Sequence, residues 1–129
     1  MNDFALVSEG PSDHAILKNI LLGYFRGQRE PDIYREHPDP QAEKRYGGWT
    51  LVLQYLRERK FKQAFQLNRY LIVQIDTDVS QDNGFDVPKQ NENGPIPLEQ
   101  FIKDVVNRLK REIGEEGCDL YGDRFIFAV

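Results

Sequence analysis

The sequence predicts an α/β fold of about four mainly parallel strands flanked by helices. Three observations carry this expectation. Short apolar runs bounded by turn residues recur along the chain, and stretches with helical apolar spacing separate them. Taken in order, strand and helix alternate along the whole chain, the pattern of a parallel sheet covered on both faces.

Phe4 to Ser8 is the first run, closed by Glu9-Gly10-Pro11, and reads as a buried strand ending in a tight turn. Ser12 is the expected N-cap of a helix in which Leu17, Ile20, Leu21 and Tyr24 recur, widened by Ile16 and Phe25 and stopped near Gly27. Ile33-Tyr34 reads as a short second strand, and 36–48, with two prolines and two glycines, as a loop. Trp49, Val52, Leu53 and Leu56 repeat at helical spacing, with the charged run Arg57-Glu58-Arg59-Lys60 behind them.

Residues 70–75 form the third strand. The stretch 79–97 has no periodicity and much Asn, Gly and Pro; a loop this long in a compact domain is more often functional or mobile than idle. Leu98, Phe101, Ile102, Val105 and Leu109 define a further amphipathic helix, and "RFIFAV", 124–129, a fourth strand.

The chain of 129 residues, 40% hydrophobic and 29% charged, has the make-up of one soluble globular domain. Its net charge of −4 argues against wholesale electrostatic capture of nucleic acid, although a local basic face remains compatible with it. A single cysteine, Cys118, rules out an internal disulfide and reads as an idle thiol. The N-terminus lacks a basic start followed by an apolar core, and no apolar run approaches ~20 residues, so the expectation is a cytoplasmic protein without a membrane partner.

The chemistry concentrates at two strand ends. Glu9 follows the first strand, and Asp76 and Asp78 follow the third; if those strands are neighbours, three carboxylates meet in one crevice. Clustered carboxylates repel, and a divalent cation neutralises them directly. All-oxygen ligation suits magnesium or manganese, whereas His14 and His37 lack the spacing of a zinc site. The plainer reading of Asp76-Thr77-Asp78 is a capped loop start.

At these residues the sequence resembles the Toprim domain, in its small, OLD-nuclease-like form. "ALVSEGPSD" supplies Glu9, Gly10 and Asp13, and "YLIVQIDTD" supplies Asp76 and Asp78, about 65 residues later with helix, strand and helix between them. The resemblance implies a Rossmann-like Toprim fold in which Asp76 and Asp78 hold Mg2+ (or Mn2+). Glu9 would be a further ligand or a general acid–base group, and Asp13 a ligand of a second ion. It also implies cleavage of phosphodiester bonds in DNA or RNA, catalytic roles for Glu9, Asp76 and Asp78, and service in bacterial defence or repair beside an ATPase partner. Gly10 would let the backbone turn sharply behind Glu9. Asp82 and Asp86 read as solvated loop residues.

Two features depart from the family. No tyrosine stands in a motif as a transesterifying nucleophile, so strand passage is not implied. The chain also stops on its fourth strand, which favours residues 1–129 being the N-terminal part of a longer protein over a bare edge strand.

Residues 57–69 hold five basic residues and one acidic one, with Phe61 and Phe65 interleaved. Arg57, Arg59, Lys60 and Lys62 are therefore candidates for phosphate contact beside stacking aromatics. The plainer alternative has both rings in the core and the cations on a solvated face. Residues 103–112, with four basic and two acidic residues, read as ordinary helix surface. Two other functions remain open on the residues alone. One is a non-catalytic module binding metal or nucleotide in the same crevice; the other is an Asp-based phosphoryl-transfer domain resembling haloacid-dehalogenase-like phosphatases or receivers.

Overall fold

The computed structural model describes residues 1–39, 48–78 and 80–129. In chain order the elements are β1 (Asn2–Val7), α1 (Pro11–Tyr24), β2 (Ile33–His37), α2 (Gly48–Arg57), α3 (Phe61–Leu67) and β3 (Asn68–Gln74). There follow β4 (Gln90–Asn91), β5 (Gly94–Pro95), α4 (Leu98–Ile113), α5 (Glu115–Tyr121), a single 3-10 turn and β6 (Phe125–Ala128). The main sheet runs β2-β1-β3-β6 and every pairing in it is parallel, which makes the fold Rossmann-like α/β as the sequence predicts. Most of the loop expected over 36–48 lies outside the described residues.

Alternation along the strands sorts side chains onto two unequal faces. One side buries Ala5, Val7, Leu71 and Val73 with the inward residues of α2, α3, α4 and α5 in the main core. The other buries Phe4, Leu6 and Ile72 against Leu17, Leu21 and Phe25 of α1 and its cap. A single helix serves this second face and touches the sheet along one stripe. Ile16, Ile20 and Tyr24, read from sequence as part of the inward face, consequently remain exposed. Leu98 of α4 is exposed for a similar reason: it precedes the turns that reach the core through Val105, Leu109 and Ile113.

The sequence reading missed α3 and α5. Phe61, Ala64 and Phe65 of α3 are buried, and α5 packs through Gly117, where an added Cβ would lie 2.7 Å from Ile113 Cγ2 and 3.0 Å from Phe61 Cζ. That separation is too short for any side chain, so the glycine is required by packing.

Arg124 locks this corner. Its guanidinium donates to the carbonyls of Arg69 (2.9 Å), Phe65 (2.8 Å) and Asn68 (2.8 Å), and its Cζ lies 4.5 Å from the centre of the Phe65 ring. Hydrogen bonds involving a charged group contribute roughly 1.5–3 kcal/mol each, and removing one donor orphans several acceptors. Arg124→Met is therefore expected to lower unfolding free energy by about 2–3 kcal/mol in urea titrations, with the aliphatic stem retaining part of the packing.

Part of the 80–97 segment is anchored around Phe85 and Val87, while residues 90–97 are mostly exposed. Phe85 and Val87 are buried, Trp49 meets Phe85 edge-to-face at 5.6 Å, and Arg108 donates to the Gly84 and Phe85 carbonyls while pairing with Glu112. Gly84 has φ +99, and a Cβ there would lie 3.2 Å from the Trp49 ring. Asp82 and Asp86 are exposed, as expected. Among the described residues no helix is long and apolar enough to cross a membrane.

Candidate carboxylate site

β1 and β3 are hydrogen-bonded neighbours in register, with Val7 opposite Val73, so both strands end at the same level. From β1 the chain crosses to β2 on one side and later returns to place β3 on the other. The carboxyl ends of β1 and β3 therefore flank the topological switch point, where splayed connections leave a crevice. Glu9 and Asp76 emerge on its two sides.

The backbone fixes this edge. The Asp76 amide donates to Glu9 Oε2 at 2.7 Å, and the Asp78 amide donates to Asp76 Oδ1 at 3.0 Å. The Gly48 amide donates to the Glu9 carbonyl at 3.0 Å, and the Glu9 amide meets Gln74 Oε1 at 3.4 Å. Asp13 lies in the first turn of α1, where the helix dipole favours a carboxylate. The helix starts at Pro11 with Gly10 as its cap, two residues earlier than a cap at Ser12 suggested. Gly10 has φ −160°, extended backbone that any residue adopts, and a Cβ there would sit 3.8 Å from Asp13 Oδ2. The chain bends at Glu9 and Gly10, but in a conformation that does not require glycine.

Burial pushes the Glu9 carboxyl above its usual range, and the charges of Asp76, Asp13 and Asp78 push it the same way, against the pull of the Asp76 amide bond. The four acids thus sense one another. Among the described residues, however, no group of three or more Asp, Glu, His or Cys side chains is drawn together tightly enough to hold an ion. Asp76 and Asp78 are exposed, and the Asp76 carboxylate is held by the Asp78 amide. The donor set is all oxygen and hard, which fits magnesium or manganese and not zinc. Neither histidine joins it: among the described residues His14 Nδ1 and His37 Nε2 are buried without a hydrogen-bond partner, and burial lowers both rings toward the neutral form.

The raised Glu9 value has a sign that can be checked. Below the ordinary value of 4.5, folded and unfolded chains both carry the proton. Above it the unfolded chain ionises first, so stability falls as pH rises through the higher folded value. Glu9→Gln is expected to be more stable than wild type near neutral pH in EDTA, with the difference vanishing near pH ~4. Urea titrations at the two pH values measure this.

Lys89 is a residue that sequence reasoning missed. The segment after Asp78 folds back and places Lys89 Nζ 3.2 Å from the Asp78 carbonyl, so a cation stands beside the acidic edge. Nothing in its sequence surroundings signals this, because the contact depends on the anchored path of residues 80–88.

The basic candidates lie elsewhere on the surface. α2 begins beside Glu9 and carries Arg57 about 13 Å along its axis from Gly48. Lys60 pairs with Glu58 at 3.4 Å, Lys62 pairs with Glu116 at 3.3 Å, and Arg59 donates to the Arg57 carbonyl. Phe61 and Phe65 are 0% and 3% exposed, so the stacking role considered for them is overturned: both rings belong to the core. Cys118 is half-buried, with its thiol pushed up by burial, consistent with an idle thiol.

Fold and edge together define an α/β protein with a Rossmann-like parallel sheet and acidic residues at its switch point. Comparison with protein-family models, with curated proteins and with solved structures finds no match to the chain.

Proposed function

We propose that this chain is a Toprim-like, magnesium-dependent nuclease domain that cleaves phosphodiester bonds in DNA or RNA. The observation that supports this best is the adjacency of β1 and β3, which brings Glu9 against Asp76 across the switch point and within electrostatic reach of Asp13 and Asp78. In this reading Asp76 and Asp78 are the principal ligands, with Glu9 and Asp13 completing one or two hard-cation sites. A bound divalent ion would supply charge neutralisation and a water activated for attack on phosphorus.

The chain's own residues have separate tasks. Glu9, its carboxyl raised by burial, exchanges a proton at Oε nearer neutral pH than an exposed glutamate does. The Asp76 amide holds that carboxyl in place. Lys89 offsets the negative edge, and Arg57, Arg59, Lys60 and Lys62 would contact phosphates away from the reacting bond. A cytoplasmic setting, bacterial defence or repair and an ATPase partner belong to the same proposal.

The test is incubation of labelled single- and double-stranded DNA and RNA with the protein in Mn2+ and in EDTA. Cleavage that requires Mn2+ and is lost in Asp78→Asn supports the reading. Strand binding without cleavage under any divalent ion would instead indicate a non-catalytic module.

A further inference from the structure

A second feature lies at the other end of the sheet. Between α1 and the amino ends of β1 and β3, a cavity of about 230 Å³ is lined by Phe4, Phe25, Tyr70, Arg69, Arg29 and Asp3, among others. Its floor is aromatic: the Phe4 and Tyr70 rings meet at 29° with centroids 5.8 Å apart, and Phe25 lies 6.0 Å from Phe4. Phe25 and Tyr70 are only half-buried, so ring surface faces solvent there.

The rim is charged unequally. Arg29 is neutralised by Asp3, with Nη2 2.9 Å from Oδ1, and Asp3 also accepts the Asp32 amide at 2.8 Å. Asp3 is held below the usual carboxylate range, first by the Arg29 bond, so this pair stays charged and closed. Arg69 is exposed, and among the described residues its guanidinium has no hydrogen-bonded partner. Arg69 also lends its charge to holding Asp3 down, but it makes no hydrogen bond among the described residues, so its guanidinium stands beside half-buried aromatic faces.

We propose that this cavity binds a nucleobase of a single strand, the base stacking on the aromatic floor and its phosphate pairing with Arg69. A base with its phosphate is the unit that needs a ring surface and a guanidinium side by side. An aliphatic ligand would leave Arg69 unused, and a bare anion would leave the rings unused. The cavity is small for a drug-sized ligand, and a single base suits it better. It lies about 20 Å from Glu9 by the rise of β1, a span of roughly six nucleotides at duplex spacing. The proposal rests on the nucleic-acid reading above and adds a contact that keeps a strand on the protein away from the cleaved bond.

The experiment measures anisotropy of a fluorescein-labelled oligothymidylate in EDTA, where neither metal binding nor cleavage contributes. Arg69→Glu and Phe25→Ala are each expected to weaken binding about tenfold. Lys110→Glu, the same charge reversal on exposed α4 surface, should leave it unchanged. Arg69 is exposed, so its variant remains informative if Phe25→Ala fails to fold. Equal affinity in Arg69→Glu and wild type overturns the proposal. So does absence of strand binding by the wild type in EDTA, while cleavage in Mn2+ under the same conditions would leave the nuclease reading standing.

Discussion

Asp76→Ala is expected to lower Mn2+-dependent cleavage by about a hundredfold or more, the scale on which removal of one charge-stabilising group acts. Asp76 contributes twice to the acidic edge. Its carboxylate is one of the proposed ligands and accepts the Asp78 amide, while its own amide fixes Glu9. Alanine preserves the second contribution and removes the first. Calorimetric titration of Mn2+ into wild type, Asp76→Ala, Glu9→Ala and the double variant separates the possibilities. If both residues serve one ion, each single variant weakens binding at least tenfold and the double variant adds little, because groups sharing one partner are not additive. Equal weak binding in all four proteins would remove the metal from the proposal and leave the fold alone.

Phe61→Ala is the second large effect, and it concerns stability. The ring is fully buried, with centroids 5.4 Å from Phe125 and 6.1 Å from Tyr121, and it closes against Gly117 on α5. Truncating a buried phenylalanine costs about 3–5 kcal/mol, through lost transfer energy and the cavity left behind. A domain is stable by only ~5–15 kcal/mol in total, so this variant should be near unfolding in thermal or urea titration. Leu67→Ala, on the same helix but 63% exposed, should stay within about 0.5 kcal/mol of wild type. Equal effects at the two positions would contradict the orientation of α3.

The contrast between those positions shows what the sequence could reveal. β1, β3 and α4 were legible because each carries its own period or an unbroken apolar run. Glu9, Asp76 and Asp78 were legible because they stand immediately beyond such runs. α3 was not, since seven residues are too few to show a helical period, although Phe61 and Phe65 were readable as core residues. α5 has no period of its own and depends on Gly117 fitting beneath Ile113. The anchoring of residues 80–88 was hidden as well, because Phe85 and Val87 find Trp49 and α4 only after the chain has closed. Lys89 follows from that closure. The outward turn of Ile16, Ile20 and Tyr24 could not be read either: periodicity finds an apolar stripe but not how much of it one sheet face can cover.

The in-register pairing of β1 with β3 has a kinetic consequence. Glu9 and Asp76 are 67 positions apart, so the two halves of the acidic edge meet only when that long closure is made. Local helices form before distant strands pair, which places assembly of the edge late on the folding path. Divalent-ion affinity would then appear only with the completed sheet. Any ion held by both ends would bind the native chain and not the unfolded one, so it would act as a ligature on the fold.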